Sequence, residues 1–254
     1  MFGNNIGVGV VSDKDIKAFV FDVFGTVVDW RGSITREGAA FAARAGDGAT
    51  GLDGVDWTEF ATAWRKKYQP AMQKIRDGER PFTILDILHR ENLLVTLSEF
   101  GVSGLSEDEI DDLNHVWHRL SPWPDSVEGL TMLKSKYVIA PQSNGNIALM
   151  VNMAKFGRLP WDAILGAEVV GHYKPQPQAY LNACAALGLR PDQVVMTAAH
   201  NGDLQAAARQ GLRTAFVARP TEHGPGQKTD LSAEVDYTFV AETFVDLARQ
   251  VGCS

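Results

Sequence analysis

The chain has 254 residues, enough for one large domain or for a core carrying an insert. Its hydrophobic share of 45% and charged share of 22% are ordinary globular usage. A net charge of −7 without any basic run excludes a general nucleic-acid binder, and the lack of a stretch of about 18 apolar residues excludes a membrane-spanning helix.

In chain order, residues 1–13 are rich in Gly and Asn and read as a loose extension. No basic segment followed by a long apolar run precedes the first strong element, so no signal peptide is expected. That element is KAFVFDVFGT, residues 17–26, an apolar strand running into a tight loop. Residues 33–120 contain no convincing strand. Trp57, Phe60, Trp64 and Tyr68 recur at helical spacing, and Ile84, Leu85, Leu88, Leu93, Leu94 and Leu97 predict a further helix or helix pair. Ser106 and Glu109 form a capping-box pattern ahead of Ile110, Leu113, Trp117 and Leu120. The glycine-rich residues 45–54 read as a loop inside this segment, and the prolines of 121–126 suit a linker. Beyond it, strands are predicted at 137–142, 163–165, 194–199, 214–219 and 236–240. Helices are predicted at about 126–135, 145–156, 177–187, 203–210 and 242–251. The alternation implies an α/β fold, a parallel sheet with helices on both faces, interrupted after its first strand by an all-helical insert. Cys184 and Cys253 lack metal-ligand spacing and read as two reduced thiols of a cytoplasmic protein.

Ligands of such sheets bind at the carboxyl ends of the strands. Four polar clusters reach that edge: Asp22 with Thr26; Ser143, Asn144 and Gly145; residues 172–180; and residues 200–203. A lone strand-end Asp more often caps a turn. Asp22, in the context FDVFGT and with three other clusters converging on it, reads instead as a nucleophile held at a fixed angle.

These clusters resemble, in order and spacing, the haloacid dehalogenase superfamily, and within it the type II, L-2-haloacid dehalogenase branch. The resemblance spans roughly residues 16–245. It implies a Rossmann-like core of residues 14–32 and 121–254 and a helical cap of residues 33–120. FDVFGT matches the first motif, with Asp22 as nucleophile; QSNG the second, with Ser143 and Asn144; YKP the third, with Lys174; and AHNGD the fourth, with Asp203. Superfamily phosphatases carry a second Asp two residues after the nucleophile to protonate the leaving alcohol. Here that residue is Phe24, and the fourth motif has a single carboxylate where phosphatases pair acids around magnesium. A halide needs no protonation on leaving, so both departures point from phosphoryl transfer to carbon–halogen cleavage.

The resemblance therefore implies a hydrolase that converts a small 2-haloacid and water into a 2-hydroxyacid and halide, through an ester on Asp22, with neither cofactor nor metal. Arg65, in a W-R context on the insert, would stabilise the departing halide, against the alternative of a solvated Arg beside Lys66 and Lys67. Lys174 would keep Asp22 ionised, and Ser143 and Asn144 would bind the substrate carboxylate. Thr26 would hold the Asp22 rotamer. Tyr180 would lie close to the site or pack as a core aromatic. Asp203 would orient the hydrolytic water, directly or through Lys174, or simply anchor Lys174. His200 and Asn201, with Ala198 and Ala199 before them, depart from the usual hydroxyl residues of the fourth motif. His200 could orient water or halide, or merely pack; Asn201 is grouped with the substrate contacts. Phe24 and Trp30 are candidates for an apolar pocket, while Phe60 reads as core. An exposed apolar face on the insert would allow a homodimer; neither nucleic acid nor membrane is an expected partner. The competing readings are a magnesium-dependent phosphatase or phosphonate hydrolase, a non-catalytic binding protein that kept the fold, and a defluorinating specialist within the first reading.

Overall fold

The computed structural model describes residues 15–254; the expected N-terminal extension lies outside them. Five parallel strands form the central sheet: β1 (Ala18–Phe21), β4 (Val138–Pro141), β5 (Val194–Ala198), β6 (Arg213–Val217) and β7 (Phe239–Ala241), in the order β4-β1-β5-β6-β7. Every residue of β1 and β5 is buried, as expected of parallel strands covered on both faces. β1 pairs with β4 on one side and β5 on the other, so the strand order reverses at β1 and opens a crevice at its carboxyl end. Asp22 is the first residue beyond that end.

The expected strand at 163–165 does not form. This segment runs beside β4, giving only the bonds Asp162 N–H to Ile139 O (2.9 Å) and Leu165 N–H to Pro141 O (3.1 Å). Pro141 has no N–H to donate, and the Ile139 N–H is taken by the Asp162 side chain at 2.9 Å, so no ladder can continue. The remaining strands and helices lie within a few residues of their expected positions. The core helices are α6 (Ser126–Lys134), α7 (Ile147–Gly157), α9 (Pro177–Ala186), α10 (Asn201–Ala208) and α11 (Phe244–Gln250), with a single turn, α8 (Ala167–Val170), that the sequence pattern did not reveal.

The first helix of the segment expected to form the insert starts at Trp30. The segment comprises α1 (Trp30–Ala42), α2 (Trp57–Lys66), α3 (Tyr68–Arg76), α4 (Leu85–Glu99), α5 (Glu107–Asn114) and a 3₁₀ turn, His115–Arg119. Asp29 and Asp56 cap α1 and α2, and the Ser106–Glu109 capping box opens α5. The chain leaves and rejoins the core through an antiparallel pair, β2 (Val28–Asp29) and β3 (Ser121–Pro122), so the start of the expected linker is a paired strand. Residues 45–54 form a loop within the insert, fastened by reciprocal backbone bonds between Thr50 and Ser103.

One hydrophobic cluster joins the two parts. Phe19 and Phe21 of β1 belong to the same buried cluster as Phe60, Trp64, Leu93 and Trp117 of the insert. Among the described residues, no helix is long and apolar enough to cross a membrane.

Candidate active site

A cavity of about 850 Å³ opens between the sheet edge and the insert. The core contributes Asp22, Asn144, Lys174, His200 and Asp203 to its wall; the insert contributes Arg65, Tyr68, Gln69, Gln73 and Arg76.

The Asp22 backbone N–H donates to Thr197 O (2.9 Å), extending the pairing of β1 with β5 and fixing the residue at the strand end. The loop then turns through Gly25 at φ +89°, a left-handed conformation that suits glycine. Thr26 Oγ1 donates to Asp22 Oδ2 (2.7 Å) and accepts from the Ala199 N–H (2.9 Å), so one hydroxyl couples the first and fourth motifs. Lys174 Nζ donates to Asp22 Oδ1 (2.9 Å) and also to Asp203 Oδ2, and Tyr180 donates to Asp203 Oδ1 (2.6 Å). The Lys174 backbone N–H is held by Asn144 Oδ1 at 2.8 Å. Lys174 and Asp22, both buried, and the half-buried Asp203 thus form one cluster with a cation at its centre. Burial alone pushes the Asp22 carboxyl up, but the Lys174 ammonium and the His200 ring together outweigh it and hold Asp22 well below the usual carboxylate range. Burial likewise opposes the charge on Lys174, and its two carboxylates more than reverse this, keeping the amine protonated.

His200 does not merely pack. Its Nδ1 lies 3.1 Å from Asp22 Oδ2 and its Nε2 2.8 Å from Glu222 Oε2. Desolvation works against its charge, yet Glu222 and Asp22 raise its pKa well above the ordinary value, so the ring is an imidazolium donating from both nitrogens. Glu222, in the turn after β6, escaped the sequence reading. It is 2% exposed, and its Oε1 accepts from Trp30 Nε1 at 2.9 Å. Trp30 is therefore the polar anchor of this buried carboxylate, and it lies behind the cavity wall instead of lining it as expected. Glu222 presses on the nucleophile loop: a Cβ at Gly25 would lie 2.0 Å from Glu222 Oε1, a proximity that no sequence pattern reveals.

Arg65 packs over the Tyr68 ring at 4.0 Å, with the Trp30 and Phe24 rings at 5.6 and 5.8 Å. Its Nη1 is buried without a hydrogen-bond partner, which argues against a solvated surface Arg. Phe24 is packed edge-on against Trp117, Tyr68 and His89 behind the cavity, and Phe60 is core.

Three expected contacts stand elsewhere. Ser143 is buried in the loop, its Oγ accepting from the Gly145 N–H (3.1 Å), and it shapes the turn instead of lining the cavity. Tyr180 is fully buried and reaches the site only through Asp203. Asn201 points away: it donates to Asp230 Oδ1 (2.9 Å) and Ser232 O (3.0 Å) and accepts from the Glu234 N–H (3.0 Å) and Tyr237 OH (2.9 Å). Asn201 and Asp203 are two residues apart on α10, and side chains at that spacing do not share a helix face.

Residues 16–211 match the family model of haloacid dehalogenase-like hydrolases. The chain is 29% identical over 210 residues to (S)-2-haloacid dehalogenase 4A of Burkholderia cepacia, covering 80% of this chain and 84% of that protein. It is 28% identical over 209 residues to an (S)-2-haloacid dehalogenase of Xanthobacter autotrophicus, covering 80% and 76% respectively. Among solved structures, a defluorinating L-2-haloacid dehalogenase is similar at 48% identity and a TM-score of 0.89, covering 93% of this chain and 95% of that one. A second L-2-haloacid dehalogenase is similar at 46% identity and a TM-score of 0.88, covering 94% and 100%.

Proposed function

Because the chain belongs to the haloacid dehalogenase-like hydrolases, we propose that it hydrolyses small 2-haloacids to 2-hydroxyacids, with Asp22 as the nucleophile. The observation that carries this reading is a deprotonated Asp22, gripped by Lys174, Thr26 and His200, on one wall of a cavity that Arg65 also lines, with its Nη1 buried and without a hydrogen-bond partner. A buried donor left unpaired is costly and calls for a ligand; a departing halide supplies one.

An Asp22 oxygen attacks C2 of the substrate. The carbon–halogen electron pair leaves as halide beside Arg65, and an ester joins Asp22 to the acid. Water then attacks the Asp22 carboxyl carbon. The C–O bond to the carboxyl carbon breaks, the hydroxyacid leaves with one proton of the water, and the other is released. Both Asp203 oxygens are already occupied by Lys174 and Tyr180, which favours the anchoring role for Asp203. His200 is better placed to orient the water. Esterification removes the Asp22 charge, leaving the imidazolium with Glu222 as its one carboxylate partner, and its hold on the proton weakens.

Two features favour this reading over a magnesium-dependent phosphatase. Phe24 cannot protonate a leaving alcohol, and an ammonium occupies the space between the two carboxylates that a divalent ion would need. The insert, residues 33–120 in the expected division, serves as a cap that keeps water from the nucleophile. The free, buried Cys184 and Cys253 suit the cytoplasmic location expected from sequence. A homodimer would use the apolar stripe of Ile87, Leu94 and Val95 exposed on α4, which sedimentation at graded concentrations would test.

The deciding experiment is halide release from 2-chloropropionate and fluoroacetate without added metal. Asp22→Asn should lower it on the order of 10⁴-fold or more; release at wild-type rate would sink the mechanism. In oxygen-18 water, a single turnover should place label in Asp22 before product.

A further inference from the structure

One cation of the cavity wall is engaged by neither the nucleophile nor the departing halide. Lys174 is engaged by Asp22 and Asp203, and the His200 imidazolium by Asp22 and Glu222. Arg65 is assigned to the halide. Arg76, on α3, remains. Its Nη1 donates to Lys174 O (3.0 Å), its Nε and Nη2 to Gln73 Oε1 (2.9 and 2.7 Å), and its Nη2 to Gln69 Oε1 and O (3.2 and 3.4 Å). All these acceptors are neutral, and among the described residues no carboxylate forms an ion pair with Arg76. Two glutamines therefore fix a cation in the cavity wall; Asp77, which accepts from Gln73 Nε2 at 2.6 Å, acts on it through space without an ion pair. Lys66, exposed on the same wall, also has no ion pair among the described residues.

Position and volume both bear on the role of this cation. Arg76 and Asp22 line the same cavity, and both bond to Lys174, Arg76 to its backbone carbonyl and Asp22 to its ammonium. The cavity of about 850 Å³ falls in the range of roughly 300–1,000 Å³ that holds drug-sized ligands, far more than a three-carbon acid fills.

We propose that the site also takes 2-haloacids bearing a second carboxylate, 2-halodicarboxylates of four or five carbons, whose distal carboxylate docks on Arg76. The inference rests on the dehalogenase reading above. With C2 at Asp22, the distal group meets a planar guanidinium that exchanges its exposed glutamine acceptors for a bidentate carboxylate. The products are a 2-hydroxydicarboxylate, halide and a proton. The locally positive wall offsets the repulsion that a chain of net charge −7 exerts on a dianion.

The test compares (S)-2-chlorosuccinate with (S)-2-chlorobutyrate, which has the same number of carbons and one carboxylate. The diacid should react with a kcat/KM at least equal to that of the monoacid. Arg76→Gln should lower the diacid-to-monoacid ratio about tenfold or more, chiefly through the KM of the diacid, and Arg76→Lys should hold the ratio within about threefold. Turnover of chlorobutyrate with chlorosuccinate about tenfold slower overturns the proposal, as does an equal loss on both substrates in Arg76→Gln. Release from neither substrate brings down the dehalogenase reading itself.

Discussion

Glu222 Oε2 lies 2.8 Å from His200 Nε2, on the side of the ring opposite Asp22. A buried carboxylate thus sets the charge of the one ring that touches the nucleophile and belongs to neither the first nor the third motif. Burial favours the neutral form of Glu222, but His200 reverses this and holds it ionised.

Glu222→Gln should lower the pKa of His200 by about one unit or more, read by NMR titration of its ring. His200 has a raised folded-state pKa, so its contribution to stability is present below the unfolded value of about 6.5 and is lost as pH rises through the folded value. The destabilisation in Glu222→Gln should therefore be largest near pH 6 and shrink in alkali. A His200 pKa equal to that of the parent would remove Glu222 from the site's electrostatics.

Gly25→Ala should act in the same direction from a distance in sequence. The new Cβ would sit 2.0 Å from Glu222 Oε1 on a backbone at φ +89°. The expected cost is about 2 kcal/mol or more, read by urea denaturation. The His200 pKa should fall with it, because the carboxylate must move. Loss of stability with His200 unchanged would show that strain alone is at work.

Lys174→Met leaves Asp22 and Asp203 facing each other without their cation. Removing one partner of a buried pair costs about 3 kcal/mol, and that loss is expected at pH 7. Asp22 has a depressed folded-state pKa, so its contribution is present above the unfolded value of about 3.9 and lost as pH falls through the folded one. In the variant Asp22 keeps Thr26 and His200 but loses its ammonium and takes up a proton more readily, so the gap to the parent should narrow between pH 7 and pH 4. An undiminished gap across that range would place the cost in packing, not charge.

Asn201→Ala separates two accounts of the fourth motif. If Asn201 only ties down residues 230–237, the variant loses about 2 kcal/mol of stability and keeps its KM for 2-chloropropionate within about threefold. A tenfold rise in KM with stability intact would restore the substrate contact read from sequence.

What the sequence revealed, and what it hid, follows one physical divide. Asp22 and Asp203 were legible because one sits where a buried strand stops and the other in the first turn of a helix, ends that apolar periodicity marks; Thr26 and Lys174, both in turns, were read from the motifs around them. The Ser106–Glu109 box was legible because its partners are three residues apart. Glu222 was not: it lies in an irregular turn, and its bond to Trp30 spans 192 positions. The false strand at 163–165 had the right composition, but Pro141 and Asp162 together block its ladder, and only the register reveals that. Arg76 was hidden because an Arg at the end of an amphipathic helix reads as a solvated face until its acceptors are known.

The packing of Phe24 bears on how the protein folds. Its ring meets Trp117, 93 positions further along the chain and at the far end of the insert, while Asp22 two residues before it completes the sheet edge. The nucleophile loop is therefore wedged between two halves that share a single buried cluster. Neither half can lose its order and leave the loop in place, so the sheet and the helices above it should melt as one cooperative unit. Tryptophan fluorescence and halide release should then disappear at the same urea concentration, and because contacts of such long sequence separation must close before that cluster forms, refolding should be slow for a chain so rich in helices.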